Sequence, residues 1–305
     1  MEVDRLTLLS DFFQDLELRN ISRTQIYISY VGEFCQLLQD RSKTPEQADK
    51  TDLRAYLQLL KNRNLKQSSL SRAFSCLSQF YAYLVDEDLI ASNPIPPFRK
   101  RYLRSYKNDS STESRQLISV EQAAMLVNAI LSARDRAIIM LLLKTGMRRG
   151  ELVALDLADI DLPDMSLMLK PTAKRSNRQL FFDNETARVL KAWLDVRDNW
   201  RRADAALFPS TKSNRANPMQ IDWIVERYAQ MVGLHDPTSK SLQRRFTPHC
   251  CRHWLVTHLL RAGMSRDHVK WIRGDTMKES IDIYYHIDPK DVRQAYLAYI
   301  PQLGV

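Results

Sequence analysis

Glycine is scarce, with 7 among 305 residues, and no apolar run approaches the roughly 18 to 20 residues that a membrane-crossing helix requires. The second absence excludes a chain that crosses a membrane by helices. The first, beside 44% hydrophobic content, excludes a disordered chain and leaves enough apolar material for a sizeable core, over a length that favours two domains. Cysteine is also sparse. Cys35, Cys76, Cys250 and Cys251 include an adjacent pair inside a helical pattern, which suits neither a disulfide framework nor zinc-ligand spacing. The thiols are therefore expected reduced and mostly buried, with no metal and no cofactor. The opening Met-Glu-Val-Asp-Arg is not a signal-peptide start, so a cytoplasmic location without a membrane partner is expected.

Charge, by contrast, is plentiful and unevenly placed. The formal net charge is +9, but residues 1–98 carry 11 Lys/Arg against 13 Asp/Glu, and the remaining residues carry 34 against 23. A basic surplus confined to the later part points to a polyanion there, weakly, because nucleic acid and an anionic membrane both answer that description.

Ser92-Asn93-Pro94-Ile95-Pro96-Pro97 is expected to end a helical pattern, and Arg99, Lys100, Arg101, Arg104 and Lys107 follow, interleaved with Tyr102 and Tyr106. Residues 99–115 thus read as a basic interdomain linker able to lie along a DNA backbone. Before it, apolar residues recur at three-to-four spacing in four groups: Leu6, Leu9, Phe13 and Leu16; Tyr27, Tyr30, Val31, Phe34 and Leu37/Leu38; Leu53, Tyr56, Leu57 and Leu60; Leu70, Phe74, Leu77, Phe80/Tyr81 and Leu84. Four helices are expected, with Ser22 or Thr51 as caps. Arg63, Lys66 and Arg72 gather near the hydroxyl-rich start of the fourth, a candidate DNA-phosphate contact that ordinary capping would explain equally well.

After the linker, Ser119-Val120-Glu121-Gln122 reads as a capping box that opens a helix. A second helix runs to Lys144, and Gly146 breaks it before Arg148 starts a third. Alternating apolar residues between Leu155 and Phe182 predict three short strands. Helices are expected again at residues 185–197, 219–232, 249–262, 266–273 and 291–299. The last is a tail that either docks on a neighbouring protomer or packs on its own domain.

Within this frame stand two arginines, an imidazole and a phenol. Arg148 lies in Thr145-Gly146-Met147-Arg148-Arg149-Gly150-Glu151-Leu152, His249 and Arg252 in His249-Cys250-Cys251-Arg252-His253, and Tyr284 in Tyr284-Tyr285-His286. In transesterification at phosphorus, negative charge builds on the non-bridging oxygens, and forked guanidinium donors stabilise it without a metal. His249 and Arg252, three apart, share a helix face, with Thr247 as N-cap and Pro248 as first helical residue. His253 and His258 read as structural.

The first of these segments resembles the T-G-x-R-x-x-E-L box of the tyrosine recombinase (phage integrase and Xer) family, and the second its H-x-x-R-H box. The resemblance covers essentially all of residues 1–300. It implies a mainly α fold with a small three-stranded antiparallel sheet, divided into a helical, SAM-like core-binding domain (1–98), the basic linker (99–115) and a catalytic domain with its C-terminal tail (116–305). It implies a metal- and ATP-independent site-specific DNA recombinase or integrase acting through a 3′-phosphotyrosyl intermediate. The alternative is a non-catalytic, sequence-specific DNA-binding relative. Arg148, Lys174, His249, Arg252 and Tyr284 would be catalytic, with Glu151 and Asp275 auxiliary. Lys174 would protonate the leaving 5′ oxygen, with Lys170 and Arg175 as alternatives, and Tyr285 rivals Tyr284. Asp275 departs from the family pattern, standing where a histidine or tryptophan is usual; it would cap the following helix or orient Arg252 or His249. The partners implied are double-stranded DNA, further copies of the chain in a tetramer on two DNA sites, and accessory DNA-bending proteins, with a nucleoid-associated location.

Overall fold

The computed structural model describes residues 5–21, 24–103, 114–171, 177–199, 205–210, 215–275 and 287–305. The chain forms two compact units, Met1–Ser110 and Ser111–Val305.

The first unit is helical: α1 (Arg5–Leu18), α2 (Thr24–Gln39), α3 (Lys50–Asn62), α4 (Gln67–Asp86) and α5 (Ile95–Tyr102). Phe12, Phe34, Leu38, Tyr56, Leu60, Phe74, Leu77 and Phe80 form its centre. Phe12 meets Phe80 edge-on with centroids 5.2 Å apart. The sequence reading requires three corrections. The buried stripe of α1 is Leu8, Phe12 and Leu16, not Leu9 and Phe13; both stripes satisfy helical spacing, and packing against α2 chooses between them. The cap of α3 is Asp49, whose carboxylate accepts from the N–H groups of Thr51 (2.6 Å) and Asp52 (3.2 Å), so Thr51 lies inside the helix; Ser22 lies outside the described residues. The basic run does not begin as a linker. Arg99, Lys100 and Arg101 form the last turn of α5, whose Ile95 and Phe98 are buried in this unit, with Phe98 stacked on Phe74 at 5.2 Å. Prolines occupy the first turn of α5, where a missing N–H costs nothing, so the proline cluster starts a helix as well as excluding one.

The second unit comprises α6 (Val120–Asn128), α7 (Ala133–Thr145), α8 (Arg149–Ala154), β1 (Ile160–Asp161), β2 (Ser166–Met168), β3 (Gln179–Phe181), α9 (Asn184–Asp198), α10 (Pro218–Met231), α11 (Pro248–Ala262), α12 (Arg266–Arg273) and α13 (Pro289–Tyr299). The strands pair antiparallel in the order β1-β2-β3, with Leu167 opposite Ile160 on one side and Leu180 on the other. This is the expected class, mainly α with a small three-stranded sheet. The axis of the unit is α7. Every residue from Ala137 to Thr145 is buried, because α9 and α11 pack along it, which is why its sequence is apolar on all sides. Ser119 and Gln122 exchange bonds at the start of α6 as the capping box requires. The tail packs on its own unit, with Val292, Tyr296, Ile300 and Leu303 buried in the core.

One polar group in the first unit carries a measurable consequence. Asp52 is buried and accepts from Arg41 (2.9 Å), Lys43 (2.8 Å) and the N–H of Asp49 (3.0 Å). Burial alone would raise its pKa, but Lys43, the Asp49 amide and Arg41 outweigh that and hold it below the usual 3.8. A depressed carboxyl stabilises the fold above its unfolded pKa and loses that contribution as pH falls through the folded one. Asp52→Asn is expected to lower stability at pH 7 by about 2 kcal/mol and to flatten the acid-induced loss below pH 4; denaturant titrations at pH 7 and pH 3 measure both.

Candidate active site

The site is assembled where α7 ends. Thr145 Oγ donates to the Leu141 carbonyl (2.7 Å) and accepts from the Met147 N–H (3.3 Å), tightening the last turn. Gly146 then takes φ +61°, and a Cβ built there would lie 2.8 Å from Leu255 Cδ2 on α11. Both the left-handed backbone and the close approach of α11 demand glycine. Arg148 is the N-cap residue of α8. Glu151, buried, accepts the Arg148 N–H through Oε2 (2.7 Å) and its guanidinium through Oε1 (2.9 Å), so one carboxylate fixes both ends of a half-exposed arginine.

The second arginine comes from α11. Thr247 is its N-cap and Pro248 its first residue, as expected. Arg252 is buried and spans two elements, donating from one Nη to the Gly146 carbonyl (2.7 Å) and from the other to the Arg273 carbonyl (2.6 Å). His249 lies one turn earlier. Partial burial, followed by the charges of Arg115, Arg252, His253 and Arg148, lowers its pKa below the ordinary 6.5. Arg148, Arg252 and His249 therefore share one electropositive place, where the imidazole is held towards its neutral, proton-accepting form at pH 7. His258 bonds the Ile118 carbonyl (3.1 Å), the structural part expected of it.

Arg115 was missed by the sequence reading. It precedes α6 without periodicity or motif, and only the fold brings it to His249: the Gln116 N–H bonds the Leu242 carbonyl (3.3 Å), laying this segment beside the approach to α11. Asp275 pairs with Arg273 Nε (3.3 Å), the residue whose carbonyl holds Arg252. Lys170 is held by Asp159 (2.9 Å) and Asp156 (3.0 Å), which raise its pKa. Lys174, Arg175, Tyr284, Tyr285 and Arg104 lie outside the described residues. In the first unit Arg63 pairs with Glu33, while Lys66 and Arg72 are exposed at the start of α4. Among the described residues no group of His, Cys, Asp and Glu has an arrangement able to hold a metal ion.

Residues 113–291 match the phage integrase family, and residues 8–91 match the phage integrase N-terminal SAM-like domain. The chain belongs to the phage integrase family. Among curated members of this tyrosine recombinase family, it is 27% identical over 271 residues to tyrosine recombinase XerC of Pelotomaculum thermopropionicum, covering 85% of this chain and 83% of that one. It is 28% identical over 296 residues to XerC of Corynebacterium glutamicum, covering 95% and 90%. A solved integrase shares the fold: the Tn1549 transposon integrase in complex with transposon right end DNA superposes with a TM-score of 0.68 at 16% identity, over 94% of this chain and 97% of that one.

Two measurements test this geometry. The His249 ring is expected to titrate below pH 6.5 by NMR, and Arg148→Ala to move the midpoint upward by removing a nearby positive charge. Gly146→Ala is expected to lower stability by about 1 to 2 kcal/mol in thermal unfolding, from the positive φ and the contact with Leu255.

Proposed function

We propose that this phage integrase family member is a site-specific DNA recombinase in which Tyr284 is the nucleophile, Arg148 and Arg252 hold the scissile phosphate, His249 accepts the phenol proton and Lys174 protonates the leaving group. The observation that carries the reading is the convergence of Arg148, Arg252 and His249, from the separate helices α8 and α11, at one electropositive place. Two anchored guanidiniums and a neutral imidazole suit an anion that gains charge as it reacts. The Tyr284 oxygen attacks phosphorus and the bond from phosphorus to the 5′ oxygen breaks. The phenol proton passes to His249, the 5′ oxygen takes one from Lys174, and a 3′-phosphotyrosyl ester remains. The 5′ hydroxyl of a partner strand reverses these steps, so the energy of the broken bond is kept in the ester.

The double hold of Asp159 and Asp156 on Lys170 ties that ammonium elsewhere and supports Lys174 as the acid. Arg115 joins the phosphate-facing cations, and Glu151 keeps Arg148 in place. The cations of the first unit, Lys66, Arg72, Arg99, Lys100 and Arg101 with Arg104 beyond, would follow the DNA backbone, and Arg63 would join them only by leaving Glu33. Solved relatives support DNA as partner and an assembly of copies: one neighbour is a lambda integrase dimer bound to a core site. A tetramer on two sites exchanging strands through a Holliday junction, with accessory DNA-bending proteins, follows from the same reading. So does a place in the cytoplasm at the nucleoid. The biological task is integration and excision of a mobile element or replicon resolution.

Mixing the protein with fragmented genomic DNA of its source, then capturing DNA that stays attached through SDS, is expected to yield covalent complexes with wild type and none with Tyr284→Phe; sequencing the trapped ends gives the target site. Equal, SDS-labile binding by both proteins would instead support a non-catalytic DNA-binding relative. Arg148→Lys is expected to slow attachment by about 100-fold in single-turnover assays, since an ammonium cannot supply the two-pronged contact.

A further inference from the structure

At the last turn of α7 lies an ionic cluster that the chemistry above does not use. Lys144 is completely buried directly after the apolar run Ala137–Leu143 of α7, and its Nζ donates to Asp183 Oδ2 (2.6 Å), Glu185 Oε2 (2.8 Å) and the Pro301 carbonyl (2.6 Å). Glu185 in turn accepts three successive backbone N–H groups, from Leu303 (2.8 Å), Gly304 (2.6 Å) and Val305 (3.3 Å). Tyr296, also buried, donates its hydroxyl to the Lys144 carbonyl (2.9 Å).

Burying an ammonium with two carboxylates is costly unless every charge finds partners, and packing alone would be served as well by leucine. Beyond the mutual pairing of Lys144 with Asp183 and Glu185, and the hold of Thr186 and the Gln302 side chain on Asp183, the remaining partners come from the backbone of residues 301–305. Lys144 sits two residues before Gly146, whose carbonyl holds Arg252, and the intervening Thr145 locks the same turn.

We propose that Lys144 and Glu185 form a receptor for the C-terminal segment and that Lys144 is a positioning residue for Arg252: the seated segment fixes the end of α7, and that end sets where Gly146 offers its carbonyl to the guanidinium. The contact with phosphate rests on the function proposed above; the coupling of the segment to Gly146 does not. A chain whose segment is unseated would still bind DNA through its basic surface yet hold the scissile phosphate in a misplaced clamp.

Glu185→Gln keeps the shape of the receptor and removes its charge, and Lys144→Met keeps the stem and removes the ammonium. In the free full-length protein, hydrogen exchange at the Gly146 and Met147 amides is expected to quicken at least tenfold in Glu185→Gln, with α6 and α10 unchanged. On a duplex carrying the captured site, DNA affinity is expected to stay within twofold and the single-turnover attachment rate to fall at least tenfold. With a methylphosphonate at the scissile position, which lacks the non-bridging charge that Arg252 serves, the deficit should shrink below threefold. Lys144→Met should repeat the pattern if it stays folded by thermal unfolding; Glu185→Gln carries the test if it does not. Unchanged exchange at Gly146 and Met147, or equal deficits on the two substrates, would overturn the proposal. Should wild type form no Tyr284 adduct, the functional reading fails, and the exchange measurement still decides whether the segment sets the end of α7.

Discussion

The site depends on one guanidinium. Arg252 joins the carbonyl that ends α7 to the carbonyl that ends α12, so three helices meet at a single buried cation. Helix C-termini present unpaired carbonyls and partial negative charge, which is where a buried arginine is best accommodated. Without it, the buried Gly146 carbonyl would lose its partner, and the turn carrying Arg148 would lose its tie to the helix carrying His249.

Positive charge at such a site must be held against its own repulsion. The fold gives three of the cations an anchor: Glu151 holds Arg148, backbone carbonyls hold Arg252, and Asp275 pairs with Arg273. His249, through its partial burial and then through this same field, shifts towards neutrality. Donors fixed in this way would meet an anion with little reorganisation, as the proposed function requires. The aspartate at position 275 is compatible with this economy, because it pairs with Arg273 and so borders the contact that holds Arg252.

Much of this was legible from the chain. The two boxes named Arg148, His249 and Arg252, and the helix breaks at Gly146 and Thr247-Pro248 placed Arg148 and His249 at helix starts and Arg252 one turn into the second, because capping is decided by a few adjacent residues. The misreadings arose where local rules allow two answers. In α1 the stripes Leu8-Phe12 and Leu9-Phe13 are equally periodic, and a proline cluster both ends one helix and begins another.

By itself the sequence determined the helices of the second unit, the three strands and the family, since periodicity, caps and boxes are local and survive without a partner. Only the tertiary structure decided that Arg115 lies near enough to His249 for its charge to be felt there, that the tail folds back on its own unit, and that Lys144 is buried against Asp183, Glu185 and the Pro301 carbonyl. These relations join residues far apart along the chain, and a lysine inside an apolar run carries no local sign of the carboxylates that neutralise it. They exist only once α7 is enclosed.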